Sequence, residues 1–232
     1  MPKSFSQLLL TLLAAFACAV PALADPWTPT GLNPGDRYRL VFVTSVTRDG
    51  LSANISDYDQ FVNTAAHASG SIVASLSSMQ WLAIASTSTT DAFTHIGGAF
   101  TVPVYRLDGL RVAANAAGLW SASLQNPIVV DETGANTVGL VWTGTNYDGS
   151  PYPGFHLGLG SGAAGGSDKV DGCWIVCQAE TGSVPHSVYA ISATDLIFGA
   201  SPVSVPEPGE LATWMLGTSA AAVIARKKRP SR

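Results

Sequence analysis

The chain has 232 residues, of which 12% are charged, with 23 glycines, 6 tryptophans and a formal net charge of −4. Five of its twelve basic residues fall in the last seven positions, so residues 25–205 hold fourteen acids against six bases, a balance of −8. Phosphate backbones are bound by clustered Lys and Arg, so a nucleic-acid partner is excluded; the weak charge and high glycine content describe a loop-rich exported body built on one core.

The chain opens Met-Pro-Lys, continues as an apolar stretch over residues 8–20, and reaches Ala22-Leu23-Ala24, the small-x-small pattern that signal peptidase cleaves. Residues 1–24 are thus a predicted signal peptide that takes Cys18 with it and leaves Cys173 and Cys177. Residues 25–35, with Pro26, Pro29 and Pro34, are an extended lead-in. Aromatic and β-branched residues predict a strand over 38–44. A helix is expected over 55–69, with Ile55, Tyr58, Phe61, Val62, Ala65 and Ala66 on one face, Gly70 as its stop, and Ser52, Asn54 or Ser56 as its cap. A second helix over 71–85 would bury Leu76, Trp81, Leu82 and Ile84.

After Thr87 short strands and turns take over. Residues 102–107 read as an edge strand because of Pro103, and Asp108-Gly109 as a tight turn. Residues 138–143 read as a strand closing on the turn 146–149, residues 158–166 as a flexible glycine-rich loop, and 174–177 and 187–192 as the last two strands. Two helices followed by irregular strands is an α+β order.

Chemistry is sparse in this body. Asn146, Asp148, Asp168 and Asp171 are loop oxygens of the kind that bind calcium, although Asn-x-Asp-Gly is first a turn-forming string. Cys173 and Cys177 carry no second pair and no neighbouring histidine. In a strand they would stand about 13 Å apart, beyond the roughly 7 Å that a disulfide spans. They join only if residues 172–177 are turned. Gly160-Ser161-Gly162-Ala163-Ala164-Gly165 fits a dinucleotide fingerprint by letter but lacks the acid about 20 residues on. His67, His95, His156 and His186 are scattered, and no G-x-S-x-G elbow is present. Tyr147, Tyr152 and Trp174 lie near turns, where rings can stack on sugars.

The end of the chain is more specific. Val205-Pro206-Glu207-Pro208 precedes fifteen uncharged residues, including Leu211, Trp214, Leu216, Val223 and Ile224, and then the basic run opening Arg226-Lys227-Lys228-Arg229. As a helix those fifteen residues span about 22 Å, short of a hydrocarbon core of about 30 Å. Flanking apolar residues and snorkelling bases must complete the span. By the positive-inside rule the basic end stays cytoplasmic and the body lies outside.

This arrangement resembles the PEP-CTERM sorting signal of exopolysaccharide-producing Gram-negative bacteria. The resemblance implies membrane anchoring, recognition by an exosortase, removal of the tail and delivery to the cell surface or matrix. The stretches Arg37 to Ser45, Thr47-Arg48-Asp49 and Tyr58 to Val62 look like the opening of a group of PEP-CTERM surface proteins. Val102-Pro103-Val104-Tyr105, Leu119-Trp120, Val141-Trp142-Thr143-Gly144-Thr145 and Ser187-Val188-Tyr189-Ala190-Ile191 resemble the landmarks of the endostatin domain, implying a C-type-lectin-like fold. The expected organisation is therefore a signal peptide (1–24), an α+β, C-type-lectin-like (endostatin-like) body (25–200) and a sorting signal with a membrane helix (201–232). The expected function is non-catalytic binding or structural service in the envelope or exopolysaccharide layer, with no cofactor unless calcium. The alternative is a secreted hydrolase of polysaccharide or peptide.

Overall fold

The first strand, β1 (Arg37–Val43), is exposed only at Arg37 and buried at its other six positions. A strand covered on both faces reads as a continuous apolar run, and β1 and β8 (Ser187–Ser192) are the two such strands at the centre of the sheet. The structure is a computed structural model that describes residues 28–199. These fall into two compact units: residues to Gly31 with Arg37–Leu196, and Leu32–Asp36 with the residues from Ile197 onward. Within the small unit, the Gly35 N–H donates to the Phe198 carbonyl at 2.9 Å and the Phe198 N–H to the Asp36 carbonyl at 2.8 Å.

In the large unit the remaining strands are β2 (Trp81–Ala83), β3 (Val104–Arg106), β4 (Arg111–Ala113), β5 (Leu140–Trp142), β6 (Ser161–Gly166) and β7 (Gln178–Thr181). Their order is β4-β3-β1-β8-β5-β6-β7, with β2 joining β8 off this path. β8 meets β1 antiparallel, with Phe42 opposite Ala190. Along its other edge Ser187 and Val188 pair parallel with β5, and Ala190 to Ser192 pair antiparallel with β2. Val41, Ile84, Val104, Leu119, Trp174 and Ile191 belong to one buried cluster around these strands. Each such side chain contributes about 1.5–3 kcal/mol by leaving water.

One long helix, α1 (Ile55–Ala66), packs on this sheet through Tyr58, Val62, Ala65 and Ala66. Its cap is Asn54, whose side chain accepts from the Ser56 N–H. Asp59 and Asn63, one turn apart on α1, meet the backbone of β2. Asn63 donates to the Trp81 carbonyl at 2.6 Å and accepts from the Trp81 N–H at 2.9 Å, and Asp59 accepts from the Ala83 N–H at 2.9 Å. The helix thus supplies part of the hydrogen-bonding edge that another strand would offer. The other helices are single turns, α2 (Ala92–His95) and α3 (Ala116–Leu119), with a 3-10 turn at Gly172–Trp174.

The expected fold class is overturned. Among the described residues the protein is mostly sheet with few helices, not an α+β, C-type-lectin-like body with two early helices. Residues 71–80 form turns and 81–83 form β2. Serine side chains compete with the helical backbone for its own donors; Ser71 Oγ accepts the Val73 N–H at 3.2 Å. The glycine-rich segment expected as a loop is strand β6, paired to β5 and β7. Its smallness has a steric cause: a β-carbon on Gly165 would stand 2.1 Å from the Trp174 carbonyl oxygen, and one on Gly162 would stand 3.1 Å from the Trp142 ring. β3 begins just after Pro103 and lies between β1 and β4, not at an edge. Residues 174–177, expected as a strand, are instead the end of the 3-10 turn Gly172–Trp174 and the irregular residues after it, and the strand β7 starts at Gln178. No helix among the described residues is long and apolar enough to cross a membrane. The segment 211–225 lies outside them.

Candidate functional site

Where β1 leaves the sheet, Ser45 and Val46 meet the second half of α1 and the turn that begins at Asp131. The three segments enclose a cleft of about 300 Å³. An apolar cavity of about 150 Å³ accepts benzene, so this cleft has room for a larger ring. Val46, Phe61, Ala65 and Ala68 give it apolar walls, with hydroxyls from Thr64, Ser69 and Thr133 among them. A mostly apolar concavity with a few converging polar groups is the usual form of a small-ligand site.

The turn that forms one wall is held by a single carboxylate. Asp131 Oδ1 accepts from the Thr133 N–H at 2.9 Å, the Thr133 hydroxyl at 2.7 Å and the Ala135 N–H at 3.1 Å, while Oδ2 accepts from the Thr137 hydroxyl at 2.7 Å. Burial opposes ionisation of Asp131, but the hydrogen bonds from Thr133, Thr137 and Ala135 outweigh it and hold its carboxyl below the usual range. Glu132 follows, 3% exposed. Its carboxylate accepts from the Ser45 N–H at 2.9 Å and, at shorter range, from the Ser45 hydroxyl. Its carbonyl accepts from the Ile72 N–H at 2.8 Å, tying the segment after α1 to the same wall. Among the described residues no Lys, Arg or His forms an ion pair with Glu132. A buried carboxylate without a cation is costly, and the cleft beside it has no basic side chain in its lining.

A second, smaller pocket of about 110 Å³ lies beside β7, lined by Tyr152, Phe155, Val176, Cys177 and Gln178 among others. The Tyr152 and Phe155 rings stand 6.0 Å apart. Cys173 lies in the 3-10 turn close to Cys177, and the hydrogen bond to the Cys177 thiol, then burial and the charges of Cys177 and Asp171, push the Cys173 thiol up to about 11. Both are free thiols in the structure. The segment that joins them is turned, not extended.

Asn146, Asp148, Asp168 and Asp171 each serve local structure. Asn146 Oδ1 accepts from the Tyr147 N–H at 2.9 Å. Asp148 Oδ1 accepts from the Ser150 N–H at 2.9 Å and the Ser150 hydroxyl at 2.5 Å, which hold its carboxyl below the usual range. Asp168 meets Lys169 at 2.9 Å, and Asp171 caps the 3-10 turn through the Cys173 N–H at 3.0 Å. Tyr147 lies against Gly172, where a β-carbon would come within 2.5 Å of its ring. Among the described residues no group of three or more His, Cys, Asp or Glu side chains is gathered as a metal ligand set.

The histidines are engaged in structure. His95 Nε2 meets Asp59 Oδ1 at 2.9 Å, bracing α2 to α1. His67 Nδ1 lies 2.9 Å from the Asn63 carbonyl and His156 Nδ1 3.1 Å from the Leu157 carbonyl. His186 packs against Trp142 with ring centroids 4.8 Å apart and the planes tilted by 56°, and burial holds its imidazole below the usual range although Glu180 lies 4.0 Å away. The sorting residues 205–208 and the anchor residues 211–229 lie outside the described residues. Sequence reasoning did not single out Glu132. Its signal was the acid pair Asp131-Glu132 directly after the apolar run Ile128-Val129-Val130, where a buried segment turns. No protein-family model matches this chain, and comparison with curated proteins gives no match.

Proposed function

We propose that this chain is an exported protein of the cell envelope or extracellular matrix that binds a small ligand, without turning it over, in the cleft between α1 and the Asp131 turn. The observation that carries the binding role is the cleft itself, about 300 Å³ with mostly apolar walls and a buried carboxylate. The location rests on the sequence: the N-terminal leader, the acidic body, and the Pro206-Glu207-Pro208 motif followed by an apolar segment and basic end. In this reading signal peptidase removes the leader. The tail holds the precursor in the inner membrane until an exosortase releases it to the exopolysaccharide layer. Two prolines around Glu207 keep the segment before the helix extended, where a protease reaches its backbone.

Export also places Cys173 and Cys177 in an oxidising setting. There the two thiols close as a disulfide by exchange with a disulfide-bearing envelope protein. They lose two protons and two electrons, and that partner is reduced to a dithiol.

Two experiments test the function. Replacing Pro206-Glu207-Pro208 by alanines should leave the precursor in the inner membrane, and normal release would contradict the sorting role. Saturable binding of small fragments of the producing cell's polysaccharide should disappear in Ala68→Trp, which fills the cleft from an exposed position, with the unfolding midpoint unchanged. Release of new reducing ends from those fragments would instead make the protein a hydrolase.

A further inference from the structure

The cleft has an electrostatic asymmetry that narrows its ligand, provided that the binding role proposed above holds. Glu132 is nine-tenths buried or more, and Ser45 supplies the hydrogen bonds to its carboxylate. An ionised carboxylate has about four acceptor positions, so capacity remains for a ligand donor. α1 ends at the same cleft, contributing Ala65 and, beyond its end, Ala68; its last turn holds no basic residue, and its C-cap His67 turns Nδ1 to the Asn63 carbonyl and does not line the cleft. The C-terminal end of a helix carries partial negative charge and favours a cation. Arg48 does not itself line the cleft: it stacks on Tyr58 at 4.0 Å, donates to the Asp57 carbonyl at 2.7 Å and comes no nearer to the lining ring of Phe61 than 5.7 Å from its centroid. Two negative contributions thus face a space with no positive lining residue, and the other walls mix apolar surface with hydroxyls.

We propose that the cleft binds an amino sugar with a free ammonium group, Glu132 serving as the counter-ion. An ammonium has three donors and no acceptor, which matches a carboxylate with spare lone pairs. Charge-assisted hydrogen bonds are about twice as strong as neutral ones. The ring's apolar face meets Phe61 and Val46, and its hydroxyls meet those of Thr64, Ser69 and Thr133. A de-N-acetylated polysaccharide would present such units at the cell surface, so the proposal also says which chemical state of a matrix glycan is recognised.

The test is calorimetric titration of the full chain with glucosamine at a pH where its amine is protonated, alongside N-acetylglucosamine, glucose, cyclohexylammonium and cyclohexanol. Glucosamine is expected to saturate one site, at least tenfold more tightly than N-acetylglucosamine, glucose or cyclohexylammonium. Glu132→Gln should abolish its preference over N-acetylglucosamine. Ala68→Lys, which sets a competing ammonium at an exposed lining position and leaves Glu132 and Ser45 untouched, should abolish binding while the unfolding midpoint holds. Equal or tighter binding of N-acetylglucosamine, or an undiminished preference in a folded Glu132→Gln, overturns the proposal. Cyclohexylammonium binding as tightly as glucosamine overturns the sugar assignment. Binding of cyclohexanol without any amine defeats the proposal but leaves the cleft a binding site, whereas silence from every ligand defeats both.

Discussion

Adding one methyl group at Gly165 is expected to be among the most damaging small substitutions in the protein. Ordinary contact for a β-carbon begins near 3.4 Å, but at Gly165 it would meet the Trp174 carbonyl oxygen at 2.1 Å and the carbonyl carbon at 2.6 Å. The 3-10 turn must therefore retreat from β6 by about 1 Å or more. That turn is pinned: the Tyr189 hydroxyl donates to the Trp174 carbonyl at 3.1 Å and the Thr143 hydroxyl to the Ile175 carbonyl at 2.5 Å. Overpacking costs about 1–3 kcal/mol, and weakening two buried hydrogen bonds adds about 1 kcal/mol each. Gly165→Ala should lose about 3–5 kcal/mol in urea unfolding, or about 6–20 °C in Tm for a domain of this size. The control is Gly139→Ala, where nothing lies within 4 Å of the added carbon. It should stay within about 0.5 kcal/mol. Equal shifts in the two variants, or an unchanged midpoint for Gly165→Ala, would refute the steric explanation of the glycine-rich strand.

Asn63→Leu leaves both the N–H and the carbonyl of Trp81 without their α1 partner. It should cost about 2–6 kcal/mol at about 1–3 kcal/mol per unpaired buried group, and a loss below about 0.5 kcal/mol in chemical denaturation would show that water replaces the side chain freely. Asp131 has a depressed pKa in the folded state, so its contribution is complete above its ordinary value of 3.8 and fades as pH falls through the folded value. The stability gap between the protein and Asp131→Asn should therefore be constant near neutrality and shrink below pH 3.8. A gap that widens on acidification would reverse the assigned sign. Burial, reinforced by Asp49 and Asp57 and opposed by Arg48, pushes the Tyr58 phenol up to about 12. The raised value means that stability is complete below the ordinary 10.0 and declines as pH rises from there towards 12. Ultraviolet titration should show a phenol ionising near 12 that Tyr58→Phe removes, while the more deeply buried Tyr189, also raised well above its ordinary value, is unaffected by that substitution. Finally, protein recovered from the cell surface should show no thiol to a thiol reagent until it is unfolded and reduced, then two, from Cys173 and Cys177; two reactive thiols without reduction would exclude the proposed disulfide.

The strands that are legible in the sequence are those rich in apolar and β-branched residues: β3, β5 and β8, and β1 except for Arg37, lie within the stretches expected to be extended. α1 is legible for the complementary reason, since its apolar positions recur at helical spacing and Asn54 caps it, although it ends at Ala66 with His67 as its C-cap, short of the stop expected at Gly70. The turns at Asp108-Gly109 and 146–149 are also present, the first closed by Gly109 N–H to the Arg106 carbonyl at 3.0 Å and the second by Gly149 N–H to the Asn146 carbonyl at 3.0 Å. β2 reads locally as helix because what makes it a strand lies elsewhere, in β8 and in the side chains of Asp59 and Asn63. β6 reads locally as a loop because glycine there answers to the proximity of Trp174 and Trp142, which no local propensity records. The cleft is illegible for a similar reason. Ser45 and Glu132 are 87 residues apart, and only the pairing of β1 with its neighbours brings them together.

Export and trimming of both ends are tested most directly by intact-mass analysis of the native protein from each cell fraction. The expected species lies at the surface or in the matrix, begins at Asp25 and lacks the basic residues from Arg226 onward. A cytosolic species that retains both Met1 and Arg232 would contradict the assignment.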